Sequence, residues 1–227
     1  VTLFPYTTLF RSDAFFNETQ PQPASVSLTI EYNGAKYDTE FISIVAEKMA
    51  ANEKPVAAAH IIYYTGTSQV SPASVANFGD GVTLDTNQSK FNASSQSGFM
   101  VFNKPVTQIP NNAFSGKTVL TSITLPTTIT TIGNNAFNGC TALTGALEIP
   151  ETVTTIGSNA FKQTAITSLK LNEGLTTIGE AAFSTLSKVT GQLEIPSSVT
   201  SIGKNAFYKN GFTALKLNEG LTTIGAS

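Results

Sequence analysis

The chain is short of almost everything that carries chemistry. It holds no tryptophan, one cysteine (Cys140), one histidine (His60) and only 12% charged side chains. A single cysteine excludes an intrachain disulfide and leaves the redox compartment open. With one histidine beside it, neither a metal cluster nor a Cys–His or Ser–His nucleophilic pair can be assembled. No cofactor and no metal is therefore expected, and the chain reads as a non-enzyme. Lys and Arg together number 13 against 15 Asp and Glu, a net charge of -2, with no basic stripe of the kind that binds nucleic acid. The longest apolar run, Val56 to Tyr64, is interrupted by His60 and is too short to span a bilayer. Asp80-Gly81 through Asp85 has the acidic ends of a calcium loop, but Val82 and Leu84 stand where oxygen ligands are needed.

What the chain does have is a repeat. The segment Ile-Gly-x-x-Ala-Phe recurs from Ile109, Ile132, Ile156, Ile178 and Ile202, and a sixth copy begins at Ile224. The spacings are 23, 24, 22, 24 and 22 residues, the period of a solenoid in which each unit buries its apolar side against its neighbours. Within Leu193 to Phe207, Leu193 and Ile195 point inward while Glu194 between them points out. Pro196 ends the strand, and Gly203 is read as a tight-turn glycine, although Pro110 takes that place in the first copy. Ala206 is small enough for close backbone approach. Phe114, Phe137, Phe161, Phe183 and Phe207 are expected to stack as one aromatic column.

The copies also alternate in kind. Glu148-Ile-Pro150 and Glu194-Ile-Pro196 mark one type; Lys170-Leu-Asn-Glu-Gly174 and Lys216-Leu-Asn-Glu-Gly220 mark the other, giving a 46-residue super-repeat. The outward strand positions then run Thr124, Glu148, Lys170, Glu194, Lys216. With rungs about 4.8 Å apart, acid and base alternate within pairing distance. This strip is the candidate binding surface. Glu148 and Glu194 would lie about 9–10 Å apart, at the upper end of inverting-glycosidase spacing, but on an open strand with Lys170 between them. That is an ion-pair ladder.

Ahead of the repeats the organisation changes. Residues 1–12 read as a non-native sequence scar and 13–25 as a linker with Pro21 and Pro23. Residues 26–59 form a small α+β lead-in: a strand at 26–32, the Asn33-Gly34 turn, a return strand from Lys36 to Phe41, then a short helix. Residues 60–105 are expected to be degenerate rungs capping the N-terminal end, and 106–227 the leucine-rich repeats, the last of them cut short. The sequence is read as a fragment of a longer protein.

From Leu120 to Cys140 the pattern Leu-x-Ile-x-Leu-Pro-x-x-Ile-x-x-Ile-Gly-x-x-Ala-Phe-x-x-Cys closely resembles the BspA-like leucine-rich repeat. The resemblance covers residues 100–227 strongly and 60–100 weakly. It implies a repeat solenoid, mostly short β-strands and turns, right-handed and with the strands on a concave side. It also implies a secreted or bacterial cell-surface protein that adheres to host or matrix proteins, with no catalytic residues in the repeat. A non-catalytic glycan-binding accessory module and a passive structural stalk are the alternatives. Glycan recognition calls for exposed aromatic faces, and a Tyr208–Phe212 cluster is the one place to look for them. An uncapped last repeat leads to the further expectation of end-to-end self-association.

Overall fold

The computed structural model describes residues 30–32, 35–37, 58–73 and 76–225. The chain divides into two units, Val1–Ala51 and Asn52–Ser227. In the first, β1 (Ile30–Tyr32) pairs antiparallel with β2 (Ala35–Tyr37), Ile30 opposite Tyr37 and Tyr32 opposite Ala35. These strands flank Asn33-Gly34 as a hairpin requires. The scar, the linker, the two turn residues and the expected helix lie outside the described residues.

The second unit opens with a 3-10 turn at Ala58–His60, followed by β3 (Ile61–Gly66), β4 (Leu84–Asn92) and β5 (Ser97–Phe102). The repeats then contribute β6 (Gln108–Ile109), β7 (Leu120–Thr124), β8 (Thr131–Ile132), β9 (Thr144–Glu148), β10 (Thr155–Ile156) and β11 (Ala165–Lys170). They continue as β12 (Thr177–Ile178), β13 (Gln192–Glu194), β14 (Ser201–Ile202), β15 (Ala214–Lys216) and β16 (Thr223–Ile224). Each rung of this β-solenoid thus has a longer strand and a two-residue strand. The two-residue strands stack as one six-stranded parallel sheet, isoleucine on isoleucine from Ile109 to Ile224.

Aliphatic and aromatic residues at the repeat period fill the space between the two sets of strands. Ile109, Ile132, Ile156 and Ile178 are buried, as are Ala113, Ala136, Ala160 and Ala182. The phenylalanine column is present. Successive ring centroids from Phe114 to Phe207 lie 5.3, 5.1, 5.4 and 5.6 Å apart, with interplanar angles between 1° and 11°. Phe78 closes the column at its N-terminal end with an edge contact to Phe114 at 6.2 Å. Each fully buried ring contributes about 2–3 kcal/mol, with stacking adding about 0.5–1.5 kcal/mol per pair.

Three sequence expectations need correction. Residues 60–105 pair differently from the parallel rungs expected: β3 pairs antiparallel with both β5 and β7, and β4 pairs antiparallel with β5. The resulting sheet, in the order β4-β5-β3-β7, takes the strand of the first repeat as its edge. Alternating apolar residues fix which face of a strand is inward but carry no direction, so parallel and antiparallel pairing look alike in sequence.

The repeat glycine is not a turn glycine. A Cβ on Gly157 would lie 2.6 Å from the Asn134 amide nitrogen of the preceding rung, so the residue is fixed by close approach. Around Pro110 in the first copy the backbone bonds run to the chain ahead of the repeats: the Ala73 amide donates to the Ala113 carbonyl, and the Thr107 and Gln108 amides donate to the Phe78 carbonyl. The left-handed conformation falls instead on the residue before each alanine: Asn112, Asn135, Asn159, Ala181 and Asn205, with φ between 52° and 57°. Four residues later it recurs at Gly116, Gly139, Gln163, Thr185 and Lys209.

Finally, the ladder of longer strands is not continuous. β9 pairs with β11 and β13 with β15, as two separate two-stranded parallel sheets. The breaks fall just before Thr144-Gly145 and Thr190-Gly191, the extra residues of the 24-residue repeats, where Gly145 and Gly191 have φ of 82° and 81°. Thr144 and Gly145 open β9 itself, whereas Thr190-Gly191 lies just ahead of β13.

Candidate interaction surface

The five strip residues separate into three settings. Thr124 lies opposite Tyr63 in the N-terminal sheet and is half-buried, so it is not part of a continuous charged row. Glu148 and Lys170 are register partners across β9 and β11 and form an ion pair. Glu194 and Lys216 repeat that arrangement across β13 and β15, with Lys216 Nζ 2.6 Å from Glu194 Oε1. Their side chains are 66% and 62% exposed for Lys170 and Glu148, and 53% and 58% for Lys216 and Glu194. In open solvent such pairs contribute little to stability, because water and salt screen them. The Glu148 hydrogen bond and negative charge raise the Lys170 pKa above the usual lysine value.

A second outward row runs beside the charges, two residues earlier along each strand. Ala146 pairs with Ser168 and Gln192 with Ala214, all exposed. This row was missed in the sequence, although the period of two from each charged position marks it. Behind the strip, the Asn172 and Asn218 side-chain amides donate to the Ile149 and Ile195 carbonyls, beside the prolines that end the partner strands. The recurrence of Leu-Asn-Glu-Gly was the signal for these two bonds.

Between β11 and β13, where the strand ladder is absent, Glu173 ties the rungs together. Its carboxylate accepts from the Ser197 amide at 3.2 Å, the Ser197 hydroxyl at 3.1 Å and the Ser198 amide at 3.3 Å. These donors, the Ser197 amide foremost, hold the Glu173 pKa below the ordinary carboxylate value. On the opposite side a column of exposed threonines links every rung. Thr130, Thr154, Thr176, Thr200 and Thr222 each donate a side-chain hydroxyl to the backbone carbonyl of the threonine one rung back, at 2.8 to 3.3 Å.

Cys140 is fully buried and donates to the Phe114 carbonyl at 2.9 Å, and burial pushes its thiol pKa up to about 11. Thr164, in the equivalent place, donates to the Phe161 carbonyl at 3.0 Å. The position is a packing site with a weak polar preference. Among the described residues no group of three His, Cys, Asp or Glu side chains could hold a metal, and no helix is long and apolar enough to cross a membrane. Tyr208 is 50% exposed with the Lys209 ammonium 5.3 Å from its ring centre, while Phe212 packs edge-on against Phe207 at 6.4 Å.

The family model of the BspA type leucine rich repeat region matches residues 87–227 in 6 copies. No curated protein matches the chain. A solved structure of the T. pallidum leucine rich repeat protein is similar, at 31% identity and a TM-score of 0.43. That match covers 47% of this chain and 49% of the other, so the chain spans about half the length of that protein. The family match extends over more than half of the residues, and its repeats coincide with the stacked Ile-Gly-x-x-Ala-Phe rungs: the chain belongs to the BspA type leucine rich repeat family.

Proposed function

We propose that this chain is a non-enzymatic protein–protein interaction module of a bacterial cell-surface or secreted protein, and that it adheres to an extracellular host or matrix protein. The observation that carries the proposal is the doubled Glu–Lys pair. Four solvated charges at fixed register, beside the exposed row of Ala146, Ser168, Gln192 and Ala214, offer a broad polar contact. Membership of a family built as a repeat scaffold supports the same reading. The extracellular and adhesive parts of the proposal rest on that kinship. The test is binding of the full chain to immobilised matrix proteins, beside a variant carrying serine at Glu148, Lys170, Glu194 and Lys216 and checked for folding by circular dichroism. Saturable binding that the variant loses is the expected result; equal binding by both would remove the strip from the proposal.

One observation favours a second reading, non-catalytic glycan binding. Tyr208 is half-exposed, and an exposed aromatic ring is the kind of surface on which a sugar stacks, although the Lys209 ammonium lies over this one at 5.3 Å. A glycan array on which the chain binds and a Tyr208→Ala variant does not would select it.

A further inference from the structure

The strip has a symmetry that a general adhesive surface does not need. Along the stack the four charges run Glu148, Lys170, Glu194, Lys216, acid and base in alternation. Take a twofold axis parallel to the strands, passing between β11 and β13. It places Glu148 against Lys216 of the second copy and Lys170 against Glu194, and the other two contacts follow by symmetry. Every charge meets its opposite. The same operation sets Ala146 against Ala214 and Ser168 against Gln192, so the neighbouring row is uncharged and brings no like charges together.

We propose that this face is a homotypic contact, a twofold interface with a second copy of the same chain. The proposal rests on the reading of the strip as a contact surface and specifies the partner. Each intrachain pair is already formed, so docking lays one Glu–Lys pair over the other in reverse order. Each lysine ammonium has three donors and its own glutamate engages one of them, which leaves capacity for the partner's carboxylate. An isologous contact of this kind closes at two copies. Because all of its charges are solvated, it is weak and salt-dependent.

The test separates charge order from charge content. Exchanging the second pair (Glu194→Lys with Lys216→Glu) keeps composition, net charge and the intrachain ion pair. The strip then reads acid, base, base, acid, and the twofold places like against like. Exchanging the first pair (Glu148→Lys with Lys170→Glu) gives base, acid, acid, base, with the same self-conflict. The two variants are complementary to each other.

Sedimentation equilibrium of the 227-residue chains at about 1 mM protein is the readout. The wild type is expected to dimerise at low ionic strength, weakening about tenfold or more toward 1 M salt. Each variant alone is expected to lose that salt-sensitive association, and an equimolar mixture to restore it. Restoration in the mixture also shows that both variants are folded. A wild type that stays monomeric at low salt overturns the proposal, as does association unchanged by either exchange. A monomeric wild type that still binds matrix protein would leave the adhesive reading standing and remove only the homotypic one.

Discussion

Ala181 and Thr185 hold backbone conformations that their side chains oppose. Both have positive φ, 52° and 60°, at turn positions where other rungs place Asn, or Gly, Gln and Lys. A left-handed conformation costs an ordinary L-residue about 1–2 kcal/mol, less for Asn and nothing for Gly, and a β-branched residue is the poorest choice. Ala181→Asn and Thr185→Gly are each expected to raise stability by about 0.5–1 kcal/mol. A higher urea midpoint at unchanged slope checks this. Cys140 yields a second expectation at this scale. Its folded pKa of about 11 lies above the ordinary 9.0, so the stability it contributes is complete below pH 9 and is lost as pH rises toward 11. At pH 8 the native thiol should react with a thiol reagent only as fast as the chain opens, and in denaturant at once. Cys140→Thr, which copies Thr164, should cost less than about 1 kcal/mol.

The load between rungs is shared unevenly among the elements. Phe161 lies between two stacked neighbours and is fully buried, whereas Phe207 is only partly so. Phe161→Ala is expected to cost about 3–5 kcal/mol and to lower amide protection in both adjacent rungs; Phe207→Ala should cost less and act locally. Hydrogen exchange resolved by rung distinguishes these outcomes. At the broken ladder the Glu173 cross-link makes the interface pH-sensitive. Its folded pKa lies below the ordinary 4.5, so its contribution is present above that pH and disappears as pH falls through the lower folded value. The gap in urea midpoint between the wild type and Glu173→Gln should therefore close in acid. The inward strand residues, the six stacked isoleucines and the phenylalanine column were all legible, because burial at a fixed period leaves a direct trace in sequence. The left-handed positions were not read, although Asn in four of five copies marked the first of them. Backbone conformation shows in sequence only through such residue preferences.

For the molecule as a whole, the charged pairs were legible and their grouping was not. Counting to Lys170 and Glu194 gives adjacent rungs, but β11 and β13 share no strand ladder, and the residue period alone does not reveal which neighbouring strands pair. Two modes of self-association are then distinguishable. Leu215, Leu217 and Ile224 are 47%, 48% and 61% exposed, and the end-to-end contact expected from the sequence would bury apolar side chains of this kind. Such a contact buries apolar surface and strengthens with salting-out ions, whereas the twofold strip weakens with salt.

The 46-residue unit has a further consequence, one of parity. Copying that unit whole adds an acid and a base in order, and the lengthened strip still reads the same from either end with signs reversed. Copying a single rung adds one charge, and the central member then faces its own kind. If the homotypic contact holds, arrays of this repeat can grow or shrink by pairs of rungs without losing recognition of their own length class. A single-rung step creates a chain that no longer matches itself.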